Sequence, residues 1–191
     1  MVGIRLYIAA DGYISGVYIS VDFMHTLGAT ILGSVLFTLF LQLGGVLTNP
    51  GRVCGQLLTL IKMFSKHLKV QAPINALYLT MFKRQGKPAK FNGKASTCRY
   101  LVPIIFEILK YAVPAKSYED QLRLACMQQL ETLYSSLMAK DQALFRDAQD
   151  RMRMLYCELN HFYAEQRGDF AVFRIVPKFH IWLFAEQLVL C

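Results

Sequence analysis

A chain of 191 residues with 54% hydrophobic side chains is long enough for one sizeable core and too short for two full domains, and its apolar fraction excludes general disorder. Its 21 Lys and Arg against 13 Asp and Glu give a formal charge of +8, which draws it to polyanions without fixing a fold. Five cysteines in no close-spaced pattern, with no CxxC, read as reduced, intracellular thiols rather than a disulfide framework.

In chain order, residues 4–10 form a short β-prone run that Asp11-Gly12 turns, and residues 16–22 (GVYISVD) form a second, rich in β-branched and aromatic side chains. Two short strands followed by strong helical signals predict a mainly α-helical α/β fold. Asp22 then stands at a strand's C-terminal end, where ligands and catalytic groups collect in α/β folds; a helix cap or turn residue is the competing reading.

Residues 23–51 lack Asp, Glu, Lys and Arg altogether. That length crosses a bilayer core of roughly 30 Å, and the basic residues from Arg52 onward would hold that end in the cytoplasm. Thr30, Ser34, Thr38 and Gln42, spaced four apart, fit instead a buried helix with one slightly polar edge. Residues 26–47 are therefore a core helix, a membrane span or an interfacial helix, and the span would make the fold a helical bundle with one transmembrane helix.

Asn49-Pro50-Gly51 is expected to end this helix. Residues 53–69 follow as a basic amphipathic helix, with Leu57, Leu60, Ile61, Phe64 and Leu68 on one side and Lys62, Lys66 and Lys69 mostly elsewhere. After a short apolar segment at 74–82 comes a basic loop, residues 83–99 (KRQGKPAKFNGKASTCR). The acid-free stretch 23–106 holds ten Lys and Arg from Arg52 to Arg99, so solvent, a nucleic-acid backbone or an anionic lipid surface must balance them. Within the loop, Lys83, Arg84, Lys87, Lys90, Lys94 and Arg99, with Phe91 among them, are the candidate nucleic-acid contacts; a solvated loop is the plainer alternative.

Residues 100–111 read as an apolar helix closed by Pro114. Ser117 before Glu119 and Asp120 suits a helix start. Leu122, Cys126, Leu130, Leu133 and Leu137 make one helical stripe, and Leu144, Ala148, Met152, Leu155, Leu159 and Phe162 a second. The break at 139–141 predicts a helical hairpin over 117–167. Residues 170–176 are β-prone, residues 179–190 read as an apolar helix, and the apolar chain end suggests a single, incomplete domain over 1–191.

No phosphate-binding loop, dinucleotide fingerprint, nucleophile elbow or HExxH occurs. Cys157 and His161 share a helix face, but two ligands do not make a metal site. Metal-dependent hydrolysis of nucleic acid needs converging carboxylates to hold Mg²⁺. Asp22 is one candidate, as catalytic group and metal ligand; Glu158 and Glu186, set in helices beside apolar residues, are its candidate partners.

Residues 22–36 (DFMHTLGATILGSVL) resemble the Asp-x-Met-His stretch and long following helix in the catalytic region of CACTA-like and related cut-and-paste DNA transposases. Residues 176–184 (VPKFHIWLF) resemble the Pro-Lys-x-His segment late in proteins of that layout, and Gly93-Lys94-Ala95 with Arg99 and Pro103 resembles the basic segment between them. The resemblance implies an RNase H-like α/β core, truncated and interrupted by a helical insertion, with Asp22 at the second acidic position of a DDE-type site and the cations of 83–99 on the DNA backbone. Only 21 residues precede Asp22, so the first catalytic region is missing. The expectation is a transposase-derived, nuclear protein that binds DNA non-specifically without complete chemistry. Mg²⁺ would enter only with a complete site, and the other expected partners are a second copy or the missing remainder of a larger domain. The alternative is a small single-span membrane protein acting through protein or lipid interaction.

Overall fold

The computed structural model describes the backbone of residues 13–45, 47–112, 117–167 and 173, and, within these, side chains from His25 onward apart from residues 112, 166 and 167. Five α-helices and one 3₁₀ turn make up the regular structure of the described residues: α1 Tyr13–Gln42, α2 Pro50–His67, the 3₁₀ turn Leu79–Met81, α3 Ala95–Ala112, α4 Tyr118–Ala139 and α5 Gln142–Arg167. There is no β-strand among the described residues. This overturns the α/β and RNase H-like expectation. Residues 16–22, expected as a strand, are the second and third turns of α1. β-propensity measures fit to a half-buried pleated surface, and a strand without a partner leaves its backbone groups unpaired, whereas extending an existing helix adds a hydrogen bond for each residue fixed. The expected strand at 4–10 and the helix at 179–190 lie outside the described residues, as does the expected strand at 170–176 apart from Phe173, which is a buried turn residue.

α1 is apolar on nearly every side and occupies the core. Leu27, Ala29, Ile31, Leu32, Val35, Leu36, Leu39 and Phe40 are all buried, as an all-round hydrophobic helix must be. It ends in a Schellman motif: Gly44 adopts φ +83°, the Gly45 N–H donates to the Phe40 carbonyl at 2.9 Å, and the Gly44 N–H donates to that of Leu41 at 3.0 Å. Asn49-Pro50-Gly51 therefore opens α2 rather than closing α1. The Asn49 side chain accepts from the Gly51 N–H at 2.8 Å, and Pro50 takes the first helical position, where its missing N–H leaves nothing unpaired.

α2 turns Val53, Cys54, Leu57, Ile61 and Ser65 inward and leaves Arg52, Lys62 and Lys66 outside. The irregular segment that follows is pinned by Ile74, Leu77, Phe82, Ala89 and Phe91, all buried. Its key contact is backbone against backbone. The Phe91 N–H donates to the Ala29 carbonyl of α1 at 2.8 Å, an approach that Gly33 permits, because a Cβ there would stand 2.4 Å from Lys90 Cα.

α3 packs against α1, α2 and α4, and α4 and α5 form the most extensively packed pair. Ser117 caps α4 through a reciprocal capping box with Asp120, and Lys140 closes it in the left-handed conformation. The Asp141 carboxylate then accepts from the Leu144 N–H at 3.0 Å to start α5. Leu122, Cys126, Leu130 and Leu133 of α4 meet Ala148, Met152 and Leu159 of α5 in the shared core.

Candidate interaction surface and cleft

The ion pairs among the described residues begin at Glu107. Lys110 pairs with Glu107 at 2.7 Å, Arg123 with Glu119 and, at 3.4 Å, with Asp120, Arg151 with Asp147 at 3.1 Å, Arg153 with Asp150 at 4.0 Å, and His161 faces Glu165 at 3.1 Å. None of the ten cations from Arg52 to Arg99 pairs with a described carboxylate. Among the described residues the charge asymmetry of the sequence thus survives folding as a basic stretch without ion pairs beside a nearly balanced helical hairpin.

On the outer face of α2, Arg52, Lys62 and Lys66 are exposed. Three exposed aliphatic side chains belong to this stretch of chain: Met63 on α2, Leu47 before it in sequence at 90% exposure, and Val70 after it. Of the six cations expected to meet nucleic acid, Arg84, Lys87, Lys90 and Lys94 are exposed on the loop. Lys83 turns inward, donating to the Lys87 carbonyl at 2.5 Å and lying 5.3 Å from the centre of the Phe37 ring. Arg99 belongs to α3, where its guanidinium donates to the Tyr100 hydroxyl at 3.1 Å and approaches the Met138 sulfur at 3.4 Å. Phe91 is a core residue, 2% exposed, and cannot stack on a base.

The proposed carboxylates do not assemble into a described site. Asp22 lies inside α1 rather than at a strand end, and Glu186 lies outside the described residues. Glu158 is exposed on α5 and accepts from the Tyr118 hydroxyl at 2.6 Å, which pushes the Tyr118 phenol above its ordinary range. Among the described residues no three His, Cys, Asp or Glu side chains come together as metal ligands. With neither a sheet to carry a DDE site nor an acidic cluster among the described residues, the transposase-derived, DNA-binding reading loses its scaffold. Cys157 and His161 remain a pair on α5, and His161 is turned to Glu165.

Sequence reasoning missed a buried polar network. Arg123 on α4 is only 8% exposed and Glu119, one turn earlier, 6%. The guanidinium donates to Glu119, to the Tyr163 hydroxyl of α5 and to Ser34 Oγ of α1, the last at 3.4 Å, and Tyr163 also donates to Glu119. Burial holds the Tyr163 phenol above its ordinary range, with the Arg123 charge opposing and Glu119 adding to the rise. One arginine thereby ties three helices, and removing it would leave a carboxylate in low dielectric. The available signal was the four-residue polar series of α1, whose Ser34, Thr38 and Gln42 all face this region.

Beside the network lies an open cleft of about 770 Å³, within the range of small-molecule sites. Phe37 and Leu41 of α1 form one wall and Lys83, Lys87 and Pro88 of the loop another, with Asp120 and Arg123 of α4 completing the lining. The chain matches no protein-family model, no curated protein and no solved structure.

Proposed function

We propose that this small helical protein acts through interaction, by docking its acid-free basic half on an anionic lipid surface. The observation that carries the reading is that, among the described residues, none of the ten cations from Arg52 to Arg99 has an ion pair. A cation near an anionic leaflet contributes about 1 kcal/mol, so Arg52, Lys62, Lys66 and Lys69 together supply roughly 4 kcal/mol before orientation costs. The exposed Leu47, Met63 and Val70 favour lipid over a phosphate backbone, since aliphatic side chains enter the acyl boundary and have no complement on nucleic-acid phosphates.

The test is co-sedimentation of the full chain with phosphatidylcholine vesicles, with and without phosphatidylserine. Binding should require phosphatidylserine, weaken steeply with salt, and fall when Arg52, Lys62 and Lys66 are replaced together by Gln. Equal sedimentation with both vesicle types, or binding indifferent to the triple substitution, would overturn the assignment.

One observation favours a second mode of membrane association: residues 25–42 of α1 form a charge-free window of mean hydropathy 1.4. In that mode α1 spans the bilayer and the basic face lies on the cytoplasmic side. Alkaline carbonate washing separates the two. A docked protein is released, whereas a span stays in the pellet until detergent is added. The buried environment of 61% of that window supports docking with α1 kept in the core.

A further inference from the structure

The cleft between α1, the loop and the start of α4 has a charge pattern that the vesicle-docking face does not use. Its two carboxylates are already engaged. Glu119 is held by Arg123 and Tyr163; Asp120 takes Arg123 at 3.4 Å on one oxygen and the Ser117 N–H at 3.3 Å on the other. Lys87, on the opposite wall, has no partner among the described residues, and Lys83 is positioned by the Lys87 carbonyl. An ammonium pair thus borders a cavity whose acids are turned to another cation. The adjoining wall is apolar: Phe37 is half-buried, and Leu41 is 40% exposed although it sits on the core helix. Cationic and apolar surface converge on one opening.

We infer that this cleft binds a single-chain anionic amphiphile, with its carboxylate or phosphate head on Lys83 and Lys87 and its chain along Phe37 and Leu41. A charge-assisted hydrogen bond to the head is strengthened by the partly desolvated cleft, and the chain covers apolar surface that water now wets. A cationic amphiphile of the same length would bring the chain without the head-group contact and would meet two lysines. Inorganic phosphate would bring the head without the chain.

Calorimetric titration of the full-length protein with laurate and with dodecyl phosphate, both below their micellar concentrations, tests the assignment. Inorganic phosphate and dodecyltrimethylammonium serve as the comparison ligands. Saturable binding of one equivalent is expected for the two anionic amphiphiles, at least ~10-fold tighter than either comparison ligand. Lys83→Gln with Lys87→Gln should weaken it at least ~10-fold. Leu41→Glu, at an exposed position that leaves the core intact, should do the same by placing a charged carboxylate on the apolar wall that the chain covers. The Arg52, Lys62 and Lys66 triple substitution should leave it unchanged, which separates this site from vesicle docking. Absence of saturable binding by the wild-type chain, equal binding of the cationic amphiphile, or full affinity in the folded Leu41→Glu protein would each overturn the assignment. Phosphate binding as tightly as dodecyl phosphate would assign a bare anion site instead.

Discussion

Gly33→Ala probes whether α1 is a core helix. A methyl group at this position would stand 2.4 Å from Lys90 Cα and 2.4 Å from the Phe91 nitrogen. Both are backbone atoms, so neither can swing aside as the end of a flexible side chain would. The loop must withdraw from α1, stretching the 2.8 Å hydrogen bond from the Phe91 N–H to the Ala29 carbonyl and loosening the buried Phe91 ring. Overpacking of this kind costs ~1–3 kcal/mol, the weakened hydrogen bond adds about 1 kcal/mol, and the better helix propensity of Ala over Gly returns about 1 kcal/mol. The net loss is ~1–3 kcal/mol, a fall in Tm of roughly 3–10 °C for a domain of this size. Thermal and urea unfolding followed by far-ultraviolet circular dichroism would measure it. Gly55→Ala is the matched control: this glycine is exposed on α2 with nothing within 4 Å of an added Cβ, so the substitution should stabilise by ~0.5–1 kcal/mol. A Gly33→Ala protein whose Tm rises like that of the control would refute the packing of α1 against the loop.

The buried network gives a second prediction. Arg123→Met strands Glu119 beside Tyr163 and should lower unfolding stability by ~3–5 kcal/mol, while adding Glu119→Leu and Tyr163→Phe recovers most of it; a loss under about 1 kcal/mol for the single substitution in urea melts would sink the account. A third concerns pH. Burial, then the neighbouring Glu107 charge, raises the Glu131 carboxyl above its ordinary range, with Lys110 opposing. Over the window between the ordinary and the raised value the folded state holds a proton that the unfolded chain has released, so stability falls as pH rises through it. Glu131→Gln should flatten that slope, and identical slopes in both proteins would count against it. The cysteines give the fourth prediction. Cys54, Cys98 and Cys126 are buried, and burial pushes the Cys98 and Cys126 thiols up to about 12. In a Cys191→Ser background a disulfide reagent at mildly alkaline pH should titrate Cys157 alone in the folded protein and the remaining thiols only on unfolding; fast reaction of a second thiol would contradict the burial.

The sequence by itself determined the parts that rest on local periodicity. Leu122, Cys126, Leu130 and Leu133 recur at helical spacing because they are the buried face of α4, and Ser117 with Asp120 announces its first turn through a hydrogen bond that spans only three residues. The acid-free stretch was equally legible, since charge composition does not change when a chain folds. Tertiary structure decided the rest. Residues 16–22 have strand-like composition and form helix, because continuity with the apolar run behind them satisfies the backbone without a partner strand. Phe91 looks like a base-stacking residue in a basic loop and is instead a core residue, brought there by the hydrogen bond to Ala29. Glu119 and Arg123, four apart on a helix, have the spacing of a surface pair; their burial depends on Ser34 and Tyr163, which lie 89 and 40 residues from Arg123. The cleft beside them exists only where α1, the loop and α4 meet. No local pattern encodes such a meeting, because each element's own residues are satisfied by its own helix or turn, and only packing the faces together sets charge, apolar wall and cavity side by side.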